Sequence, residues 1–170
     1  GRLVDYLEKT EDPRSPGKKL IETTYIFFTS DNGGAEIRGK EILSDNAPLK
    51  FGKKHPEEGG IRVPTIVRWS GVVAPGTSSD EPLAFWDFLP TACELAGEET
   101  SVPTDGLSFV PLLRGEAQSK HDYLFWKYND KLAVRQGNWK AVKPGKNSAW
   151  ELYDLDQDIG ESKDQAERKR

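Results

Sequence analysis

Apolar residues cluster in short blocks along this chain. Thr23 to Thr29 (TTYIFFT) is a continuous β-branched and aromatic run, the pattern of a strand buried on both faces of a parallel α/β sheet. Ile61 to Trp69 (IRVPTIVRW) reads as a second strand, with Pro64 favouring an edge or a strand start. Before the first strand, Arg2 to Glu8 reads as amphipathic helical turns with Leu3, Tyr6 and Leu7 on one side, and Lys9 to Lys19 as a loop. Ala35 to Gly60 shows no period and reads as a long loop, a feature often tied to function. Pro82 to Ala96 predicts a helix closed by Gly97 and kinked or split at Pro90. Phe109 to Leu113 predicts a short helical turn ended by Gly115.

Beyond Gly115 the character changes. Tyr123 to Tyr128, Leu132 to Arg135, Trp139 to Val142 and Trp150 to Leu155 are short aromatic runs. Asn129-Asp130, Gly137-Asn138 and Pro144-Gly145 separate them, as in an antiparallel meander. Gly160 to Arg170 is charged and reads as the start of a surface helix. The expected class is α/β followed by a small α+β unit, divided into residues 1–115 and 116–170.

Composition narrows the partners. Twenty-four Lys and Arg against 28 Asp and Glu give a net charge of -4, which argues against binding nucleic acid by phosphate neutralisation. No run approaches the roughly 18 apolar residues of a membrane span. One cysteine, Cys93, precludes an internal disulfide framework. The 170 residues contain no methionine and no signal peptide, so the chain is expected to be a piece of a longer protein.

Two segments carry candidate chemistry. Ser30-Asp31-Asn32-Gly33-Gly34 follows the first strand, and open α/β sheets bind ligands beyond such strand ends. The Asp31 carboxylate and Asn32 amide are hard oxygen donors suited to Ca²⁺ or Mg²⁺, although the same residues make an ordinary Asx-turn. In Gly52-Lys53-Lys54-His55-Pro56-Glu57-Glu58-Gly59-Gly60-Ile61-Arg62-Val63-Pro64, Lys53 or Lys54 offers an ammonium to an anion. Glu58 and Arg62 are placed to pair; a solvated charged loop is the plainer alternative. His55 and His121 show no metal-ligand spacing, and Cys93 reads as an inert helical thiol.

Taken together, these segments resemble the carboxyl-terminal part of a type I sulfatase of the arylsulfatase and N-acetylgalactosamine-6-sulfatase kind. Tyr25 to Gly34 resembles the family strand ending in S-D-N-G, and residues 52–64 its G-K-x-x-x-x-E-G-G-x-R-x-P element. Phe88-Leu89-Pro90-Thr91 with Leu95-Ala96-Gly97 is similar to its D-x-x-P-T helix. Asp105-Gly106-Leu107-Ser108 with Leu112-Leu113 and Gly115 matches the next segment, and Arg135, Trp139-Lys140 and Glu151-Leu152-Tyr153-Asp154-Leu155 the terminal strands.

The resemblance implies an alkaline-phosphatase-like α/β fold with a small antiparallel C-terminal subdomain. It implies Asp31 and Asn32 as ligands of a divalent cation, usually Ca²⁺, with Mg²⁺ as the alternative. It implies Lys53 as the sulfate contact and catalytic residue, a sulfated small molecule or glycan as substrate, and a periplasmic, secreted or lysosomal location. The family nucleophile is a formylglycine made within C/S-x-P-x-R. Cys93 is followed by Glu94-Leu95-Ala96-Gly97, and Ser101-Val102-Pro103-Thr104-Asp105 ends in Asp rather than Arg. The nucleophile and the remaining metal ligands are therefore expected upstream of Gly1, leaving this chain inactive alone and prone to associate through its sheet edge or with that missing part. Two other readings are a glycan-binding module using Trp126, Trp139 and Trp150, and a phosphate-ester hydrolase of the same superfamily.

Overall fold

The computed structural model describes residues 1–35 and 44–168, together with the backbone of 37–38 and 41–42. The elements in chain order are α1 (Arg2–Lys9), β1 (Tyr25–Thr29), β2 (Ile37–Arg38), β3 (Glu41–Ile42), α2 (Glu58–Ile61), β4 (Thr65–Trp69), α3 (Phe88–Ala96), α4 (Val110–Leu113), β5 (Leu124–Tyr128), β6 (Lys131–Gln136), β7 (Trp139–Lys143) and β8 (Glu151–Asp154). They form two compact units, one of Gly1–Phe28 with Thr65–Lys120, the other of Thr29–Pro64 with His121–Arg170.

In the first unit β1 pairs with β4. Phe27 stacks on Phe88 of α3 and on Phe109, with ring centroids 5.4 and 5.9 Å apart. Ile21, Phe109 and Val110 are buried. The expectation of a strand covered on both faces meets a limit here. A two-stranded sheet has too little around it to cover both faces, and Phe28 and Ile66 are each 61% exposed. Nor does α1 bury its apolar side, since Leu3 and Tyr6 are exposed.

Pro90 does not kink α3. It is the third residue of the helix, where its missing N–H would have had no intrahelical acceptor anyway. Gly97 closes the helix at φ 77°, the left-handed cap that its position in the sequence predicts. Asp87 and Thr91 clamp the following segment. The Asp87 carboxylate accepts from the Ala84 and Leu107 amides at 2.7 and 2.9 Å. The buried Thr91 hydroxyl donates to the Asp87 carbonyl and accepts from the Phe109 amide.

In the second unit β5, β6, β7 and β8 form an antiparallel meander in sequence order, as the spacing of aromatic runs predicts. Tyr128 pairs with Lys131 and Gln136 with Trp139, so each connection has two residues. Such tight hairpins need left-handed backbone, and Asn129 and Gly137 supply it at φ 52° and 58°. Alternation along the strands turns Ala133, Val142 and Tyr153 to one face, where they pack with Leu155, Trp126 and Ile159. Trp126 thus belongs to the core packing, and the three tryptophans do not form a shared exposed platform.

Two sequence-based expectations are corrected. Ile61 ends α2 and does not open a strand; the strand starts at Thr65, just after Pro64. Gly160 to Arg168 is a series of turns without a helix, and residues 169–170 lie outside the described part. Asp158 accepts from the amides of Ser162 and Lys163 at 2.8 and 2.7 Å, and Asp164 from that of Leu152 at 2.9 Å. Such side-chain acceptors compete with helical bonding.

Replacing Thr91 by Val keeps the shape of the first unit but leaves the Phe109 amide without its acceptor. A loss of about 1–3 kcal/mol in unfolding free energy is expected in denaturant titration.

Candidate functional site

The chain leaves β1 through Ser30 into Asp31-Asn32-Gly33-Gly34. The Ser30 hydroxyl donates to the Asn32 carbonyl at 2.9 Å, which bends the segment. The Asn32 Nδ2 donates to the Gly33 carbonyl at 3.1 Å. The side-chain Oδ1 of Asn32 and the exposed Asp31 carboxylate have no hydrogen-bonding partner among the described residues.

This turn lies directly against the Lys50–Ile61 segment. The Gly33 amide donates to the Gly60 carbonyl at 2.9 Å, and the Lys53 amide to the Gly34 carbonyl at 3.0 Å. Asn46 bridges the same strands of chain: it accepts from the Gly34 amide at 3.1 Å and donates to the carbonyls of Gly34 and Phe51 at 2.9 and 3.2 Å. The approach is close enough to require glycine. A Cβ on Gly33 would sit 1.7 Å from the Gly59 carbonyl oxygen. One on Gly59 would sit 2.0 Å from that of Phe51, and one on Gly60 2.0 Å from that of His55. Phe51 and Lys54 bracket Gly52-Lys53 in left-handed backbone, at φ 59° and 74°, a strain that persists only where surrounding contacts over-determine it.

What holds the segment is a buried ion cluster. Lys140, on the inward face of β7, is fully buried; its Nζ lies 2.9 Å from Glu58 Oε1 and 2.9 Å from Glu161 Oε1. The other Glu161 oxygen accepts from the Glu58 amide at 2.7 Å, at the start of α2. The other Glu58 oxygen pairs with Arg62 Nε at 2.8 Å, the ion pair expected from their spacing. Burial opposes the Glu58 charge, but Lys140 and Arg62 outweigh it and hold the carboxyl below its usual value. For Glu161 burial wins over Lys140 and the carboxyl is pushed up.

A second anchor sits at the start of the segment. Lys50 Nζ donates to the Tyr153 hydroxyl at 3.1 Å and lies 3.7 Å from Glu151. The Lys50 carbonyl takes the Gly59 amide at 2.9 Å.

Of the residues singled out by sequence, Asp31, Asn32 and Lys53 stand on two segments that the backbone joins, with Asp31 and Lys53 exposed. Lys140, Glu161 and Asn46 are the participants that sequence reasoning missed. A lysine between Trp139 and Ala141 on an alternating strand was the available signal for the first, because an inward lysine requires buried carboxylates. Glu161 and Asn46 carry no such signal. Among the described residues no group of three or more His, Cys, Asp and Glu is placed to hold a metal ion. Asp31 and Asn32 have the donor chemistry for a hard cation, and would offer at most two side chains toward the six to eight oxygens that Ca²⁺ takes.

The fold is of the mixed α/β, alkaline-phosphatase-like kind, with an antiparallel C-terminal subdomain. Residues 1–98 match the family model described as Sulfatase, and residues 50–170 the one described as N-sulphoglucosamine sulphohydrolase, C-terminal. The chain belongs to the sulfatase family. It is 41% identical over 131 residues to steryl-sulfatase of Mus musculus, covering 72% of this chain and 21% of that protein. It is 32% identical over 185 residues to a sulfatase of Formosa agariphila, covering 95% and 32%. Among solved structures, Ps i-CgsB in complex with k-i-k-neocarrahexaose superposes with a TM-score of 0.73 at 30% identity, covering 88% of this chain and 34% of that one. BT4656 in complex with D-glucosamine-2-N,6-O-disulfate gives a TM-score of 0.67 at 27% identity, covering 99% and 35%. The chain thus spans about a fifth to a third of the length of these relatives. Among the described residues no helix is long and apolar enough to cross a membrane.

Glu58→Gln tests the ion cluster. Removing one charge from a buried cluster costs about 3–5 kcal/mol, read by denaturant unfolding at neutral pH. A depressed carboxyl stabilises the fold fully above its unfolded value of 4.5 and loses that contribution as pH falls through the folded one. The raised Glu161 works the other way, its cost disappearing as it protonates. The gap between wild type and Glu58→Gln therefore narrows as pH drops below about 4.5.

Proposed function

We propose that the protein is a sulfatase that hydrolyses a sulfate ester, with Lys53 binding the sulfate and Asp31 and Asn32 holding a divalent cation, Ca²⁺ or Mg²⁺. One observation carries this reading: Lys53 and the Asp31-Asn32 turn stand on segments joined by reciprocal backbone bonds between Gly33 and Gly60 and between Lys53 and Gly34. An oxygen donor set suited to a cation, and an ammonium with no carboxylate partner among the described residues, are thereby carried on one backbone frame.

A sulfate ester reacts as an anion, and its leaving oxygen gains negative charge. A cation at Asp31 and Asn32 supplies a Lewis acid that offsets this charge. Lys53 supplies a fixed positive group that needs no reorganisation as charge builds. Its side chain has no ion-pair partner among the described residues, so no carboxylate has to be displaced when an anion binds.

The substrate is an aryl or carbohydrate sulfate. Among relatives, the names point both ways: a steryl-sulfatase and a protein bound to a disulfated glucosamine. Neither Cys93 nor Ser101 stands in a C/S-x-P-x-R motif, so no nucleophile is assigned within these residues, and the 170-residue chain by itself turns over no sulfate ester. A periplasmic, secreted or lysosomal compartment suits the family resemblance.

Lys53→Ala in the intact protein is expected to lower kcat on an aryl sulfate by about 100- to 1,000-fold, with an unchanged melting temperature because the exposed side chain carries no packing. Undiminished turnover in the variant would contradict the assignment. So would preferential hydrolysis of the matching phosphate ester by the wild type.

A further inference from the structure

Lys53 sits between two backbone clamps. On one side its own amide donates to the Gly34 carbonyl at 3.0 Å. On the other, Lys54 is in left-handed backbone at φ 74°, a conformation that a lysine keeps only under outside constraint. Lys131, at the start of β6, supplies that constraint: its Nζ donates to the Lys54 carbonyl at 3.3 Å. The same ammonium lies 3.0 and 3.2 Å from Nδ1 and Nε2 of His55.

An ammonium can only donate, so it keeps this place only beside a neutral imidazole. Protonation of His55 would set two cations 3.0 Å apart, where their repulsion is strong even near a protein surface. The fold holds a second partner for the charged ring. Glu57, just ahead of α2, is 1% exposed, and its Oε2 lies 3.5 Å from His55 Nδ1. Among the described residues that oxygen accepts no hydrogen bond. A buried carboxylate oxygen without a donor is costly to keep, and an imidazolium N–H satisfies it. Lys131 and Glu57 are the charged side chains that face the ring among the described residues, and the Phe51 ring stands against it with centroids 4.6 Å apart.

We infer that His55 is a positioning residue for Lys53 and makes its hold on the sulfate sensitive to pH. Neutral His55 keeps Lys131 on the Lys54 carbonyl and Lys53 in place. Protonated His55 turns to Glu57, Lys131 leaves, and the Lys54 backbone loses its clamp. This rests on the reading that Lys53 binds the reacting sulfate. His55 and Lys131 act through Lys54 and take no part in bond cleavage.

The test compares kcat/KM of the intact protein for 4-methylumbelliferyl sulfate at about pH 8 and about pH 5.5, across the range in which imidazoles change charge. His55→Gln keeps an acceptor for Lys131 at every pH and takes up no proton. On acidification the wild-type kcat/KM is expected to fall about tenfold more than that of His55→Gln, the size of one lost charge-assisted hydrogen bond. Lys131→Met removes the clamp outright, so its kcat/KM is about tenfold below wild type at the higher pH and equal to it at the lower. Glu161, whose carboxyl burial pushes up, and His121 are present in all three proteins, so their titration cancels. The same pH dependence in wild type and His55→Gln overturns the inference. A Lys131→Met protein equal to wild type at the higher pH also overturns it, and this second variant decides alone if His55→Gln does not fold. If the wild type hydrolyses no sulfate ester, the sulfatase reading has failed, and hydrogen exchange of the Lys53 and His55 amides, which donate to the Gly34 and Gly52 carbonyls, still decides. Protection that falls about tenfold on acidification in wild type but not in His55→Gln supports the inference, and an equal change in both overturns it.

Discussion

Everything that gives the second unit a site depends on a contact between backbones. Residues 31–34 and 50–60 lie so close that carbonyl oxygens occupy the places where Cβ atoms of Gly33, Gly59 and Gly60 would stand. Only glycine permits that approach, and the approach is what lets the Gly33 and Lys53 amides find acceptors across the gap. The two exposed side chains with chemistry, Asp31 and Lys53, are then set by backbone geometry and not by side-chain packing. That arrangement suits charged ligands: the frame is rigid, and among the described residues neither the Asp31 carboxylate nor the Lys53 ammonium has a partner of opposite charge.

A frame of strained loops needs an external brace, and the ion cluster of Glu58, Lys140 and Glu161 provides it. Its members come from α2, β7 and the carboxyl-terminal turns. Burying these charges is expensive, and as a source of net stability the cluster is weak. Its value is positional, because an ammonium between two carboxylates admits few alternative geometries. The cluster ties the start of α2, which follows Lys53 by five residues, to the sheet that carries the apolar core. A membrane of aliphatic side chains there would pack as well and specify the loop less.

Local signals made much of this legible. The meander of β5 to β8, the Gly97 cap and the pairing of Glu58 with Arg62 all follow from alternation, turn residues and spacing, which act over a few residues. Asp31, Asn32 and Lys53 stood out as hard donors and an ammonium beside glycines. The illegible parts are long-range. Nothing near Glu161 announces that it is buried, since its partners Glu58 and Lys140 are 103 and 21 positions away. The run of polar residues around it reads as a solvated helix until Asp158 and Asp164 are seen taking the backbone amides. Likewise Gly59 and Gly60 looked like the entrance to a strand, whereas the close approach of other carbonyls demands them inside a helical turn. Exposure of Phe28 and Ile66 was beyond prediction because burial of a strand depends on what lies over it, not on its own residues.

The central claim, that turn and loop form one mechanical unit through their glycines, is tested most directly by amide hydrogen exchange of Gly33 and Lys53. In the wild type both amides are expected to exchange through a single shared opening, with equal protection. In Gly60→Ala, whose Cβ would meet the His55 and Gly52 carbonyl oxygens at 2.0 and 2.5 Å, both should lose that protection while Val142 in β7 keeps its own. A Lys53 amide that stays protected in the variant, or opens independently of Gly33 in the wild type, would contradict the account.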